Sequence, residues 1–232
     1  MKRLVIIPAR EGSKRIPHKN IKDFCGKPMV SHAIKACEKS GVFQTIHVST
    51  DSQKVAAVAE QYGHRPAFLR PAGISGDHAT MMEVIRYTVE EMELGGKIFD
   101  TVALVYATSP LVSPEDLKRA CDAFEKGDLG KPLLAVAQYP APVEHAFRMD
   151  KDGAVLTPDN KDALAMRTQD LKPAYYDAGM FAFYTPDFIK KQKAGGDFTA
   201  FRGFAVPSYR VTDIDWPEDW ERAEMLFKAV SA

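Results

Sequence analysis

Short apolar runs alternate with amphipathic helical patterns from residue 1 to residue 140, and this alternation constrains the fold more than any other feature. The apolar runs predict strands at residues 4–7, 45–50, 67–70, 101–107 and 133–139. The helical patterns, bounded by capping residues and glycines, predict helices at residues 28–40, 52–62, about 81–94 and 114 to about 126. Strands that alternate with helices in this way are typical of βαβ units. We therefore expect an α/β fold with a doubly wound, mostly parallel sheet.

The loops that follow the strands are the candidate site loops, because ligands of such sheets bind beyond the carboxyl ends of the strands. These loops are residues 8–20, 50–52, 70–80 and 106–113.

The alternation stops at Pro140, and residues 140–172 are polar and irregular. Long loops in compact domains are usually functional or make contacts. We expect this segment to be an insertion with a small hairpin, carried by a single domain that spans residues 1–232. An apolar run at 179–184, a short helix from Pro186, a strand near 203–207 and a last helix from Pro217 should follow it.

Composition excludes several classes of protein. Lys plus Arg and Asp plus Glu each number 31, so the overall field does not favour nucleic acid. No apolar stretch is long enough to cross a membrane, and the short apolar run before Pro8 is not a signal peptide. Three cysteines without C-x-x-C spacing argue against a disulfide framework and a zinc site. A cytoplasmic protein is expected.

Residues 8–20, "PAREGSKRIPHKN", place five basic side chains directly after the first strand. Backbone N–H groups of a Gly/Ser loop can hold an anion, and Lys and Arg add positive charge, so the loop suits a phosphate ligand. The chain contains neither G-x-x-x-x-G-K-[ST] nor G-x-G-x-x-G. A basic loop that is merely solvated is the alternative.

Asp213 and Asp215 form a D-x-D pair near the C-terminus. In an extended segment these two side chains point to the same face, where both can bind one Mg²⁺ ion together with phosphate oxygens. Asp215 could instead cap the last helix, with Pro217 in the first turn. Both roles are compatible.

These motifs resemble the CMP-sugar synthetases, the cytidylyltransferases that activate 3-deoxy-2-keto sugar acids. The similarity covers essentially the whole chain, and a T-S-P turn at Thr108–Pro110 and the D-x-D follow the basic loop in the family's order. In the basic loop the matching residues are Ala9, Arg10, Gly12, Ser13, Lys14, Lys19 and Asn20. The resemblance implies a nucleotide-diphospho-sugar transferase-like fold, dependence on Mg²⁺, and a homodimer in which the insertion at 140–172 closes the neighbouring site.

The resemblance also implies roles for single residues. The basic loop would bind the triphosphate of CTP, and Asp213 and Asp215 would hold Mg²⁺. The anomeric hydroxyl of the sugar acid would attack the α-phosphate, with pyrophosphate leaving. Residues implied to be catalytic are Arg10, Lys19, Asp213 and Asp215. Residues implied to bind nucleotide are Ala9, Arg10, Gly12, Ser13, Lys14, Lys19, Asn20, Arg70 and Thr80. Thr80 is equally a good helix cap.

Two departures from the family pattern concern the nine-carbon sugar acid. Members that act on N-acetylneuraminic acid resemble Q-P-T-S-P and N-G-[AS]-I-Y, whereas this chain has Tyr106 in place of the Gln and Asp177 in place of the Asn. Both features, and R-x-Q-D beginning at Arg167, resemble the pseudaminic acid branch. Since polar mismatches discriminate strongly between substrates, we expect pseudaminate.

The alternatives are N-acetylneuraminate or another nonulosonic acid and, more distantly, a non-catalytic nucleotide-binding protein. Arg167 is expected to pair with the sugar carboxylate across the dimer interface. Phe181 is expected either to contact the substrate or to be an ordinary core residue.

Overall fold

The computed structural model describes residues 1–153, 155–192 and 200–231. In these ranges the strands are β1 (Arg3–Pro8), β2 (Asp23–Phe24), β3 (Lys27–Pro28), β4 (Thr45–Ser49), β5 (Thr101–Val105), β6 (Leu133–Gln138), β7 (Phe147–Met149), β8 (Leu156–Pro158), β9 (Tyr175–Tyr184) and β10 (Arg202–Ala205). The α-helices are α1 (Met29–Ser40), α2 (Gln53–Gln61), α3 (Met81–Leu94), α4 (Pro114–Glu125), α5 (Pro186–Lys191) and α6 (Pro217–Ser231).

A six-stranded sheet in the order β10-β6-β9-β5-β1-β4 forms the centre of the molecule. All pairings are parallel except those of β9, which runs antiparallel to both β5 and β6. Side chains on β1 alternate between two cores: Val5 and Ile7 face α1, α2 and α4, while Leu4 and Ile6 face α3 and α5. The predicted α/β fold with a mostly parallel sheet is confirmed.

One predicted strand is wrong. Residues 67–70 form no strand, although Arg70 donates its backbone N–H to the carbonyl of Thr50 at 2.7 Å. Pro66 and Pro71 bracket the segment, and neither can donate to a sheet ladder, so the run is too short to extend the sheet beyond β4. Phe68 packs its ring against His47 instead.

A bulge interrupts β9 where it passes between β5 and β6. The register with β6 shifts between Leu134 and Val136, and Gly179 has φ +59°, a left-handed conformation that favours glycine. The hydroxyl of Ser109 donates to the carbonyl of Gly179 at 2.9 Å and fixes the bulge against the T-S-P turn. Bulges often lie beside functional sites, and this one directs Asp177 towards the carboxyl end of β5.

The insertion contains the predicted hairpin, formed by β7 and β8. Its exposed apolar side chains include Phe147, Met149, Val155 and Leu156, and further exposed apolar residues follow at Leu164 and Met166. An exposed apolar surface of this kind is typical of a protein–protein interface.

No helix in the described ranges is both long and apolar enough to cross a bilayer.

Candidate active site

The basic loop is held to the sheet at its start and folded over an apolar anchor. Ala9 is fully buried and donates its N–H to the carbonyl of Ser49 at 2.9 Å, so that N–H is engaged by the sheet. Asn20 donates its side-chain N–H to the carbonyl of Arg10 at 2.8 Å and closes the loop upon itself. Ile16 is buried with Phe24 under the loop, which leaves the basic side chains on the outside.

Arg10 and Lys14 converge on one carboxylate. Arg10 Nη1 lies 2.7 Å from Asp77 Oδ1, and Lys14 Nζ lies 2.5 Å from Asp77 Oδ2. The hydrogen bonds from Lys14 and Arg10 lower the pKa of Asp77 to about 2. Asp77 thus brings the loop at 71–79 to the phosphate-binding residues that the sequence predicted.

Lys19 and Arg15 connect the basic loop to the D-x-D segment. Lys19 Nζ donates to the carbonyl of Ile214 at 2.5 Å and lies 3.4 Å from Asp215 Oδ1. Arg15 Nη2 lies 2.9 Å from Asp215 Oδ2. Two motifs almost 200 residues apart in sequence are therefore in direct contact.

The proposed helix-capping role of Asp215 is wrong. Its carboxylate pairs with Arg15 and Lys19, whereas the carboxylate of Asp219 accepts the N–H groups of Asp215 and Trp216 at 3.0 and 2.8 Å. Asp219 lies in the first turn of α6, and its carboxylate holds the backbone that leads into the helix.

Asp213 carries unbalanced negative charge. Partial burial and the nearby carboxylates of Asp215 and Asp219 raise its pKa, while Lys19 and Arg15 oppose this. The residue between the two aspartates, Ile214, is fully buried, so both carboxylates emerge on the same side of an extended segment.

This pair fits a hard divalent cation in its chemistry. Mutually repelling carboxylates are the ligands that Mg²⁺ prefers, and a cation would relieve their repulsion. In the described ranges no three His, Cys, Asp or Glu side chains group as a complete metal site. A cation held by Asp213 and Asp215 would therefore take its remaining oxygen ligands from water or from a substrate.

Two cavities border the basic loop. The first, of about 290 Å³, is walled by the 71–79 loop and by Arg70 and Thr108; the second, of about 420 Å³, lies over the basic residues. Both are lined by Arg10, Lys19, Asn20 and Asp77. Arg70 is buried, its Nε has no partner within the described residues, and burial lowers its pKa. An unpaired buried guanidinium group beside a cavity is suited to an anionic or carbonyl-bearing ligand.

A third cavity, of about 430 Å³, is mainly apolar. It is lined by Met81, Met82, Ile85, Leu104, Leu134, Ala182 and Phe201, with Thr80, Tyr106, Asp177 and Tyr184 as its polar members. Met81 also lines the first cavity, and Asp177 also lines a cavity that contains Asp213. The apolar cavity therefore adjoins the first cavity on one side and the cavity that contains Asp213 on the other. Burial and the carboxylates of Asp177 and Asp213 raise the pKa of Tyr106 to about 12.

Comparison with known proteins identifies the family. A family model described as cytidylyltransferase matches residues 4–230. The chain belongs to the cytidylyltransferase family. A pseudaminic acid cytidylyltransferase of Campylobacter jejuni is 38% identical over 98% of this chain and 97% of its own length. A CMP-N,N'-diacetyllegionaminic acid synthase of Legionella pneumophila is 29% identical over 98% of this chain and 97% of its own length.

The fold agrees with a solved relative. The structure of CMP:2-keto-3-deoxy-manno-octonic acid synthetase complexed with CTP superimposes with a TM-score of 0.72. It covers 99% of this chain and 100% of that one at 17% identity, which shows a shared fold.

For two residues of the cytidylyltransferase site that had two expected roles, the structure shows the structural one. Phe181 lines none of the cavities described above: it is 1% exposed and packs against Phe183 and Phe204, because it points into the core from the central strand β9. Thr80 forms a capping box with Glu83, so its hydroxyl stabilises the start of α3. Its contact with nucleotide stays a prediction.

Arg167 lies in the insertion, pairs with Asp170 at 2.9 Å and is 74% exposed. It lines none of the cavities just described, so its predicted contact across a dimer interface stays a prediction.

The sequence reading undervalued two residues of this cytidylyltransferase. Asp77 lies on the candidate loop at residues 70–80, but nothing in the sequence joins this acidic residue to the basic segment. Tyr184 was assigned only to a strand, and its position in the apolar cavity depends on how far α3 covers the sheet. No sequence pattern gives that distance.

Proposed function

We propose that the enzyme transfers CMP from CTP to the anomeric hydroxyl of pseudaminic acid and releases pyrophosphate. The observation that carries this proposal is the 38% identity to the Campylobacter jejuni pseudaminic acid cytidylyltransferase over nearly the full length of both chains. Tyr106 and Asp177, the two positions expected to distinguish pseudaminate from neuraminate, line one cavity.

The phosphates of CTP bind over the basic loop. Arg10, Lys14 and Lys19 supply positive charge there, and Ser13 and the backbone at Gly12 lie between them. Adding a Cβ at Gly12 would meet no atom within 4 Å, so this glycine leaves open space beside the loop backbone. Charge neutralisation and alignment of the phosphates supply most of the rate acceleration.

Asp213 and Asp215 would hold Mg²⁺, which when bound offsets the phosphate charge as bonding to the α-phosphorus changes. Lys19 fixes the position of the D-x-D segment through the carbonyl of Ile214. Arg15 holds Asp215 from the other side, so the segment is oriented before substrates arrive.

The sugar acid lies in the apolar cavity beside the α-phosphate. Its acyl and deoxy carbons contact Met81, Leu104 and neighbouring apolar side chains, while Tyr106 and Asp177 bind its polar substituents. The anomeric hydroxyl releases its proton to solvent as its oxygen forms a bond to the α-phosphorus. The bond from that phosphorus to the oxygen bridging to the β-phosphate breaks, and pyrophosphate leaves with both electrons of that bond.

We also propose a homodimer formed through the insertion, in which Arg167 of each protomer completes the site of the other. The exposed apolar residues of the hairpin support this proposal. Cys25, Cys37 and Cys121 are unpaired, which agrees with a reducing, cytoplasmic compartment.

The proposal is tested by measuring pyrophosphate release from CTP and Mg²⁺ with pseudaminic, N,N'-diacetyllegionaminic or N-acetylneuraminic acid. Turnover with pseudaminic acid at the highest kcat/KM supports it. The 29% identity to the diacetyllegionaminic acid synthase makes that acid the second candidate. A higher kcat/KM with either of the other two acids would leave the proposed reaction unchanged and refute the assignment of pseudaminic acid as the substrate.

A further inference from the structure

Asp77 contacts the basic loop in the way a phosphate group would. Each of its two carboxylate oxygens accepts from one cation, Arg10 on one side and Lys14 on the other, at 2.7 and 2.5 Å. Charge-assisted contacts of this length are typical of Arg and Lys with phosphate oxygens. These two cations are among the residues expected to bind the triphosphate.

Within the part of the chain that the structure describes, the loop that carries Asp77 has no other polar attachment to its surroundings. The hydrogen bonds described for residues 71–79 join the loop to itself, for example from Ser75 Oγ to the carbonyl of Pro71. None of its residues is buried. The ion pairs of Asp77 are therefore the polar contacts that hold this loop against the basic segment.

Asp77 also lies between the two cavities that a nucleotide would occupy. It lines both the cavity walled by the 71–79 loop and the cavity over the basic residues. A triphosphate that passes from one cavity to the other meets a carboxylate of its own sign. Lys14 raises the ionised fraction of Asp77 most, and the carboxylate stays charged throughout the neutral range.

We propose that Asp77 is an intramolecular competitor of phosphate that sets the affinity of the enzyme for CTP and pyrophosphate. Phosphate oxygens must displace the carboxylate from Arg10 and Lys14, and the apparent affinity falls by the fraction of molecules in which the cations are occupied. The same competition speeds the loss of pyrophosphate after transfer, because the carboxylate is available to replace it.

The inference rests on the phosphate-binding role proposed above for Arg10 and Lys14, and the experiment separates the two. Affinities for CTP and for inorganic pyrophosphate are measured by calorimetry on the full chain, without sugar acid, for wild type, Asp77→Asn, Asp77→Ala and Arg10→Ala. We expect Asp77→Asn and Asp77→Ala to bind both ligands about fivefold more tightly, the order expected for two partly exposed ion pairs. Arg10→Ala should bind both more weakly.

Glu60→Gln is the matched control. It removes one negative charge from an exposed ion pair with Arg65 on α2, which lines none of the cavities around the site. Its affinities should equal those of wild type, which excludes a general effect of net charge. Thermal unfolding of each variant shows whether it is folded. If Asp77→Asn does not fold, Asp77→Ala provides the test instead.

If Arg10→Ala weakens binding but both Asp77 variants bind no more tightly than wild type, the inference is overturned and the phosphate-binding role stands. Unchanged binding by Arg10→Ala would instead overturn the phosphate-binding role and the inference with it. The Asp77 variants should bind more tightly than wild type at low salt, and this difference should disappear at high salt if the carboxylate competes with phosphate, because salt screens exposed charges.

Discussion

The environment of Asp213 lowers the stability of the folded state. Burial and two neighbouring carboxylates disfavour its charged form. Because the folded state raises the pKa, stability is lost as pH rises from the ordinary Asp value of 3.8 through the raised value. At neutral pH the full cost is present, as expected where function requires clustered charge.

We therefore expect Asp213→Asn to raise the melting temperature at pH 7 and to lower kcat by ~100-fold or more through loss of a metal ligand. The gain in melting temperature should shrink as pH falls through the raised pKa towards the ordinary Asp value of 3.8, because wild-type Asp213 then becomes protonated. Differential scanning calorimetry across pH and the pyrophosphate assay measure the two effects.

Asp215→Asn is the matched comparison. Asp215 is paired with Arg15 and Lys19, so its replacement should lose activity without any gain in stability. A melting temperature that rises equally in both variants would contradict the account of Asp213.

Asp177 combines a structural contact with a free charge. Its Oδ1 accepts the N–H of Gly179 at 2.8 Å, which an Asn oxygen can preserve. We expect Asp177→Asn to raise KM for pseudaminic acid about tenfold or more and to change KM for CTP less than threefold. Steady-state kinetics with each substrate varied in turn would test this. An unchanged KM for the sugar acid would remove Asp177 from substrate binding.

At the scale of elements, the layers of the fold were predictable because the apolar residues that each helix or strand buries recur with the period of that element. Most of the predicted helix and strand bounds fall close to those observed. The prediction of a strand at residues 67–70 fails because those residues lack a partner strand. Which of its two expected positions Phe181 takes depends on β9 being a central strand, and the sequence alone does not give the strand order. The contact of Asp77 with Arg10 spans 67 residues, and no local pattern indicates it.

A buried ion pair joins α4 to the segment that leads to the D-x-D. Arg210 Nη2 lies 2.6 Å from Asp116 Oδ2, and both side chains are largely removed from water. We expect Asp116→Ala to lower the free energy of unfolding by about 3 kcal/mol, because it leaves a buried guanidinium group unpaired. Urea unfolding measures the change.

Asp122→Ala on the same helix is the control for that prediction. Asp122 forms an exposed pair with Lys126 at 3.9 Å, and its removal should cost about 0.5 kcal/mol or less. Equal losses in the two variants would mean that the pair with Arg210 adds nothing to stability.

The capping box at Thr80 offers a second test at this scale. Thr80→Ala should lower the free energy of unfolding by about 1 kcal/mol, whereas Thr80→Ser keeps the hydroxyl and should retain most of it. Urea unfolding and the KM for CTP are measured on both. A KM that rises in Thr80→Ala but not in Thr80→Ser would favour the nucleotide contact as well; equal stability of all three proteins would refute the capping role.

At the scale of the whole molecule, the described residues of one chain bring together the basic loop, the 71–79 loop, the D-x-D segment and the apolar cavity. The insertion stands apart from that assembly, with exposed Phe147, Met149 and Leu156 and with Arg167 outside every cavity around the site. A second copy of the chain would cover the apolar hairpin and bring Arg167 to a neighbouring site. This arrangement predicts that each site is shared between two chains.

Shared sites can be tested by mixing two inactive variants. Asp213→Asn removes the proposed metal ligand and Arg167→Ala removes the proposed sugar contact, so each variant alone should be inactive. After unfolding, mixing in equal amounts and refolding, half of the dimers are mixed and one of their two sites carries both wild-type residues. About a quarter of wild-type activity should therefore return.

The control is Asp213→Asn mixed with Asp215→Asn, which should restore nothing, because both residues lie on the D-x-D segment of one chain and so belong to the same half of a shared site. Light scattering establishes whether the chain is dimeric before and after mixing. Recovery in the first mixture alone would place Arg167 across the interface, since only a site built from two chains can be repaired by exchanging them. Absence of recovery in a dimeric mixture would restrict Arg167 to its own chain.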